Sequence, residues 1–390
     1  MAKRVTLGLA GCGTRPEMIL ADMQTLGSQI ELSAVFDTHA PSMEHYAEKF
    51  NPDARICTSF EDLIGGGELD WVMIATPNSF HVAHVCAALN AGIHVFSEKP
   101  LAISVDECLD ILRTVRETSR EFCIGYTLRY SPHYRKIGKL VAGGAIGDII
   151  SLEANETLDF NHGGHIHSGW RAFEENSGGH MLEKCSHDLD MINQFVGCRA
   201  ARVVSFGGKN FFVQHNGHLF DDLSTGGRKA FRTFWRPHEN RANPFLSGST
   251  VVDNQVALIE YENGVRATFH TNCVAGLHER RMYILGTKGA IRADAVAGTI
   301  EMKKIGFGER IVDESANDVE AVHAGGDRVL AEEFSQVMLG RMKPTTTVED
   351  GVVSAFTAFG MDESRKTGKI GDMAPYWEKL ERETRRVRAH

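Results

Sequence analysis

The chain has 390 residues, 42% of them hydrophobic and 24% charged, enough for two or three domains with sizeable cores. Its formal net charge of −9 argues against general nucleic-acid binding, which needs a basic surface. Its 8 cysteines are scattered with no Cys-x-x-Cys, and no run is long and apolar enough to span a membrane, so reduced thiols in a cytoplasmic enzyme are expected.

Val5 to Ala10 is an apolar run that ends in Gly11-Cys12-Gly13-Thr14-Arg15-Pro16, where a helical pattern begins. That is the strand–turn–helix opening of a dinucleotide-binding fold. Gly11 permits the tight turn, and Gly13 removes the side chain where a pyrophosphate must touch backbone. Pro16 stands where a third glycine is usual, and proline suits a first helical turn. Lys3-Arg4 with Leu9-Ala10-Gly11-Cys12 imitates a lipoprotein signal, but the apolar run is too short and carries Gly8.

Pro16 to Gly27 is expected to be helical, with Met18, Ile19, Met23 and Leu26 inward. Ile30 to Phe36 reads as the second strand and ends at Asp37, about 20 residues past the turn, where a carboxylate would accept both ribose hydroxyls. That acid would repel a 2′-phosphate, and no Arg follows it, so NAD is favoured over NADP. Strands are expected at Asp70 to Ala75, Ile93 to Phe96 and Phe122 to Tyr126. Thr76-Pro77-Asn78 caps a helix running through Asn90, and Ser104 with Glu107 forms a capping box. Alternating strands and helices predict a doubly wound parallel sheet, an α/β Rossmann fold. Asp37, Asn78, Glu98 and Lys99 all lie at strand carboxyl ends, where such sheets bind ligands.

From Gly147 the rhythm changes. Strands are expected at Ile149 to Thr157, Ala201 to Phe206, Val256 to Tyr261, Val265 to Asn272, Arg280 to Leu285 and Ala290 to Asp294. Asn263-Gly264 marks a hairpin. Helices are expected at Gly178 to Val196, Asp327 to Leu339 and Glu349 to Thr367, giving an α+β second domain with a large, mostly antiparallel sheet. Residues 207–250 are polar and irregular, and a stretch that long inside a domain carries function or is mobile.

Glu98-Lys99-Pro100 puts a carboxylate and an amine at a strand end. A partly desolvated lysine beside a cationic cofactor ring loses basicity and could polarise or deprotonate a hydroxyl. An isolated Glu-Lys-Pro is more often a surface lysine before a turn. Glu183 and His187 are four apart and would share one helix face, as base and orienter or as a surface pair. Glu183, Cys185 and His187, or His162, His165, His167 and His180, are metal-ligand types, but no recognised spacing is present and no metal site is expected. Arg228, Lys229, Arg232, Trp235, Arg236 and Arg241, with Arg280 and Arg281, could hold an anionic group; such a run is more often a solvated loop or subunit contact.

These motifs in this order resemble the Gfo/Idh/MocA oxidoreductase family, which includes glucose–fructose oxidoreductase and inositol 2-dehydrogenase. The resemblance runs from Val5 to about Gly371 and rests on Gly11-Cys12-Gly13-Thr14-Arg15, Asp37, Thr76-Pro77-Asn78 with His81, Glu98-Lys99-Pro100, Gly125 to Tyr130, and Gly178-Gly179 through His187 and Asp190. Glu349-Asp350-Gly351 and Glu363-Ser364 also fit. It implies an NAD-binding Rossmann domain over residues 1–125, a substrate-binding and oligomerisation domain over 126–371, and a tail over 372–390. It implies catalytic roles for Lys99, Glu183 and His187. Cofactor contacts are implied for Gly11, Cys12, Gly13, Thr14, Arg15, Asp37, Ala75, Thr76, Asn78, His81, Glu98, Lys99, Trp170 and Arg171. Substrate contacts are implied for Lys99, Tyr126, Arg129, His165, Glu183 and His187. Glu183 replaces the family's usual Asp, so its carboxylate reaches further, and Cys185 replaces a Gly.

The resemblance thus implies an NAD-dependent dehydrogenase for a secondary alcohol of a sugar, glycoside or cyclitol, a homo-oligomer (dimer or tetramer) built through the C-terminal sheet, with no nucleic-acid or membrane partner. Two alternatives are a redox-neutral glycosidase that oxidises, eliminates and returns the hydride, and a non-catalytic NAD-binding sensor.

Overall fold

Apolar runs without alternation must be covered on both faces, and the first third of the chain meets this with a six-stranded parallel sheet between helices. The computed structural model describes residues 4–27, 29–232, 243–313 and 322–388. They fall into two compact units, one from Met1–Thr127, Gly326–Ala355 and Glu378–His390, the other from Leu128–Gly325 and Phe356–Trp377.

In the first unit the order is β1 (Val5–Ala10), α1 (Thr14–Thr25), β2 (Ile30–Phe36), α2 (Ala40–Phe50), β3 (Arg55–Ile56), α3 (Phe60–Gly65), β4 (Trp71–Ile74), α4 (His81–Asn90), β5 (His94–Ser97), α5 (Val105–Thr118) and β6 (Phe122–Ile124). The sheet runs β3-β2-β1-β4-β5-β6, so the chain reverses direction across β1 and β4, the switch point at which such sheets take ligands. α1 buries Pro16, Ile19, Leu20 and Met23; Met18 is only half-buried, and Leu26, expected inward, is 36% exposed because the helix ends one residue before it. Ser104 Oγ accepts the Glu107 N–H at 3.3 Å, while the Glu107 carboxylate accepts from Ile103 N at 3.1 Å, a capping box shifted by one residue.

The second unit holds α6 (Pro132–Ala142), β7 (Ile149–Asp159), α7 (Phe160–Ile166), α8 (Glu174–Ser177), α9 (His180–Glu183), α10 (Ser186–Val196), β8 (Ala200–Gly208), α11 (Leu219–Asp222), the small hairpin β9 (Ser224–Thr225) and β10 (Arg228–Lys229), β11 (Asn254–Tyr261), β12 (Arg266–Ala275), β13 (Arg281–Gly286), β14 (Gly289–Asp294), β15 (Thr299–Lys304) and β16 (Ile311–Asp313). The chain closes with α12 (Gly326–Met338), α13 (Val348–Thr367), β17 (Gly371–Asp372) and α14 (Ala374–Arg388), of which α12 packs on α1 in the first unit. The large sheet has nine strands in the order β16-β15-β14-β13-β7-β12-β11-β8-β17. β12 pairs with β7 in parallel, and its other described pairs are antiparallel.

Strict alternation in β11, β12 and β13 turns one face of that sheet inward. The other face carries apolar side chains into the open: Phe206, Val256, Leu258 and Tyr283 are all exposed, with Phe206 at 67%. Val256 lies opposite Phe206 on β8, so two of these side chains meet across strands. Described residues of the stretch 207–250, expected to be irregular, help to build an aromatic core. Phe212, Phe231 and Phe245 are buried together with Leu158, Ile166, Val251 and Cys273. Asp253 anchors this core, its carboxylate accepting backbone N–H bonds from Asn210, Phe211 and Phe212 at 2.7–3.1 Å.

Candidate active site

In the first unit the site begins at Gly11. Its φ is +91°, and a Cβ there would sit 2.5 Å from the Ala75 carbonyl oxygen, so only glycine fits between β1 and β4. Gly13 is the N-cap of α1 and brings no side chain to its first turn, which leaves those N–H groups to an external acceptor. Tyr46, fully buried, donates to the Gly13 carbonyl at 2.5 Å and holds the turn from behind. Asp37 sits just past β2. Its two carboxylate oxygens accept from Cys12 N at 2.6 Å and from His39 N at 2.8 Å. One side chain thereby fixes both the glycine turn and the loop after β2. These features fit a dinucleotide whose pyrophosphate meets α1 and whose ribose meets Asp37.

Arg15, expected near the cofactor, spends its guanidinium inside the unit. Nε donates to Glu98 Oε1 at 2.9 Å, Nη2 to Thr127 Oγ1 at 2.7 Å, and Nη1 to Asp327. Glu98 is therefore clamped. It also accepts from Lys99 N at 3.3 Å, and a Cβ at Gly125 would touch its carboxylate at 3.0 Å. The end of β5 is built so that Glu98 points down into this network and Lys99, half-buried, follows it at a cis Lys99-Pro100 bond. His81 is fully buried, and its ring nitrogens face the carbonyls of Pro100 at 2.8 Å and Thr76 at 3.1 Å. It braces the turns after β4 and β5 against each other. Asn78 is buried in the same corner, and Tyr126 is fully buried at the end of β6.

In the second unit the expected helix Gly178 to Val196 is broken. Gly178 and Gly179 take φ of +79° and +97°, α9 lasts from His180 to Glu183, and Lys184-Cys185 form a turn before α10. Glu183 closes one helix and His187 opens the next, so the two do not share a continuous face. The turn at Lys184-Cys185 is the physical cause.

Glu183 is buried, and its Oε1 accepts from Arg171 Nε at 3.0 Å. The Arg171 guanidinium lies 4.2 Å from the Trp170 ring centre, and its Nη1 is 3.3 Å from His165 Nε2. Trp170, Arg171, His165 and Glu183 thus form one connected group. His162 and His165 stand three apart on α7. Burial, and then the cations Lys184 and Arg171, push His162 down to about 3; burial and Arg171 push His165 down to about 2. Both rings are neutral at physiological pH, and their surroundings oppose protonation.

Behind this group is a balanced ion cluster. Arg280 donates in fork fashion to Asp188 at 2.6 and 2.7 Å and reaches Glu156 at 3.1 Å, while Lys184 pairs with Glu156 at 3.2 Å. Two cations offset two carboxylates, which is what lets four charges be buried. Arg280 was expected on a solvated loop; opposite charges on β7 and α10 draw it inward. Arg228 and Lys229 are exposed on the β9–β10 hairpin, and Trp235, Arg236 and Arg241 lie outside the described residues. Arg129, expected to contact substrate, makes a bidentate bond to Asp190 at 2.7 Å. Among the described residues no group of three His, Cys, Asp or Glu side chains could hold a metal ion.

His187 is buried, and its ring centre is 5.4 Å from that of His323, a residue the motifs did not point to. His323 and Ala324 both adopt left-handed backbone, at φ +55° and +50°. That conformation costs a non-glycine residue about 1 kcal/mol and clusters at functional sites. The only sequence signal was the His323-Ala324-Gly325 run before α12, too short to separate from an ordinary loop.

A glycine-turn parallel sheet joined to a nine-stranded mixed sheet defines a two-part nucleotide-binding oxidoreductase. Residues 5–126 match the oxidoreductase family's NAD-binding Rossmann fold, and residues 138–372 match its C-terminal alpha/beta domain. The chain belongs to the Gfo/Idh/MocA oxidoreductase family. It is similar to the 1,5-anhydro-D-fructose reductase of Ensifer adhaerens, 24% identical over 94% of this chain and 98% of that one. It is also 26% identical to the 2,7-anhydro-N-acetylneuraminate hydratase of Escherichia coli, over 61% of this chain and 55% of that relative. The WlbA dehydrogenase from Bordetella pertussis, solved with NADH and UDP-GlcNAcA, has the same fold: TM-score 0.77, 20% identity, 95% of this chain and 98% of that one. No helix among the described residues is long and apolar enough to cross a membrane.

Proposed function

We propose that this oxidoreductase uses NAD to oxidise, or NADH to reduce, a secondary alcohol position of a sugar, glycoside or cyclitol. The observation that carries the reading is the Asp37 carboxylate, fixed at the end of β2 by the N–H groups of Cys12 and His39. It suits two ribose hydroxyls and repels a 2′-phosphate. The sugar-directed part draws on the named relatives, a reductase of 1,5-anhydro-D-fructose and a dehydrogenase crystallised with a nucleotide sugar.

The nicotinamide, when bound, supplies the hydride acceptor. The chain supplies proton handling and orientation. Lys99 and His187 exchange the proton of the reacting hydroxyl, as the family resemblance implies. Glu183 orients a neighbouring hydroxyl and is itself oriented by Arg171. The Glu98–Arg15–Asp327 network fixes the strand end from which Lys99 extends. The exposed apolar face around Phe206, Val256 and Leu258 is assigned to contact between copies of the chain. The 8 cysteines are all free thiols, in keeping with a reducing compartment.

Incubating the protein with NAD and a panel of sugars, glycosides and cyclitols tests the reading. NADH appears with at least one member. No NADH from any polyol, and no NADH consumption with any keto-sugar, would overturn it.

A second reading has a specific observation in its favour. The neutral His162 and His165 rings beside Glu183 are extra hydrogen-bonding groups that a simple dehydrogenation does not use. A redox-neutral elimination would use them, and one relative is a hydratase. In that case an NAD-loaded sample releases aglycone while NADH fails to accumulate.

A further inference from the structure

A cavity of about 210 Å³ opens beside the Arg171–His165–Glu183 group. Its floor is one face of α7 and the residues after it: Asn161, Gly164, His165 and Ser168, spaced i, i+3, i+4 and i+7. Its opposite wall comes from the long stretch between β8 and β11, through Phe220, Phe231, Arg232 and Pro244. The two glycines of His162-Gly163-Gly164-His165 explain how the walls approach so closely. A Cβ on Gly163 would sit 1.7 Å from the Cys273 carbonyl oxygen, and one on Gly164 would sit 2.8 Å from Phe231 Cδ1. The motif without a metal spacing is a motif for packing a helix against both a strand and an aromatic wall.

Apart from the exposed Arg232, the polar groups lie on the α7 side. Ser168 Oγ donates to the His165 carbonyl at 3.2 Å, and Asn161 Oδ1 accepts from Arg232 N at 2.7 Å. Asn161 is 3% exposed, yet its buried Nδ2 has no hydrogen-bond partner among the described residues. A buried donor left unmatched is costly, and its place in a cavity wall gives the cost a purpose: an occupant brings the acceptor. A sugar ring carries hydroxyls around its whole rim and would leave some of them against Phe220, Phe231 and Pro244. A flat apolar ring with one acceptor oxygen satisfies both sides. The size agrees, since a dry cavity of about 150 Å³ takes a benzene ring and this one has room for a substituent.

We propose that this cavity is the subsite for a phenolic aglycone, so that the substrate class is an aryl glycoside whose ring stacks on Phe220 and Phe231 and accepts a hydrogen bond from Asn161 Nδ2. The substrate class rests on the proposed function above; the ring-binding cavity does not. The test has a binding arm and a turnover arm, each run with the NAD-loaded full chain, Asn161→Asp and Phe220→Ala. Asn161→Asp keeps the acceptor for Arg232 N and removes the donor. In the binding arm, 4-nitrophenol is titrated by calorimetry. Wild type binds it saturably, and each variant binds it at least about tenfold more weakly. Absent saturable binding, or equal affinity in all three, overturns the subsite whatever the enzyme turns over. In the turnover arm, a 4-nitrophenyl glycoside, the methyl glycoside of the same sugar and the corresponding disaccharide are compared by kcat/KM. The aryl glycoside leads by about tenfold, and the variants shrink that ratio. A disaccharide preferred over the aryl glycoside overturns the assignment of the ring. Saturable phenol binding without turnover of any glycoside leaves the subsite standing and counts against the proposed function instead.

Discussion

Glu183 Oε1 takes a hydrogen bond from Arg171 Nε at 3.0 Å, so the candidate catalytic carboxylate owes its direction to the Trp170–Arg171 turn. Removing the guanidinium would take a hydrogen-bonded cation from a buried carboxylate. Arg171→Leu is expected to cost about 2 kcal/mol of stability and to lower kcat by roughly tenfold or more, with Arg171→Lys intermediate. Thermal unfolding and steady-state kinetics with NAD check both effects. A variant with full stability and full turnover would remove Arg171 from this role.

Asp37 holds the glycine turn and, in the proposed function, faces the ribose. Asp37→Ser is expected to weaken NAD binding by about 10- to 100-fold, the worth of a charge-assisted hydrogen bond, and to relax discrimination against NADP. KM values for both cofactors decide it. Equal preference for NAD in wild type and variant would contradict the assignment.

The folded protein keeps His162 and His165 unprotonated down to about 3 and about 2, whereas the unfolded chain protonates them near 6.5. The stability they support is therefore fully present above pH 6.5 and is lost as the pH falls below it. Each contributes a slope of ~1 kcal/mol per pH unit in that window. Melting temperatures at pH 7.5 and 5.5 are expected to fall more steeply for wild type than for His162→Gln. Parallel slopes would show that this histidine does not drive the acid sensitivity.

Leu258 is 55% exposed on the outer face of the nine-stranded sheet, two residues along β11 from Val256. A charge there would be desolvated by any partner seated on the face. Leu258→Glu is expected to convert the oligomer to monomer in light scattering while leaving the melting of the chain within about 0.5 kcal/mol. A wild-type monomer, or an unchanged oligomer in the variant, would contradict the interface.

The first sheet was legible because each of its strands is a short apolar run closed by a turn residue, and the period-2 alternation of β11 to β13 exposed the second. The glycine turn was legible because the left-handed backbone at Gly11 has no room for a side chain. What escaped was set by tertiary pairing. Arg280 and Arg15 read as surface or cofactor cations, and only their distant partners, Asp188 with Glu156 and Glu98 with Asp327, turn them inward. The break between α9 and α10 escaped because Lys184-Cys185 contains no Gly or Pro to mark a turn. His323 carried no pattern, since left-handed backbone at a non-glycine residue leaves no mark in the sequence.

The most direct measurement is the rate of NADH formation with the best substrate of the panel in wild type, Lys99→Met, His187→Gln and the double variant. General acid–base groups contribute about 10²- to 10⁴-fold each, and two that act on one proton are not additive. Each single variant is expected to lose about 10²- to 10⁴-fold in kcat, with the double variant losing little more than the worse single. Turnover near the wild-type rate in either single variant would contradict the account.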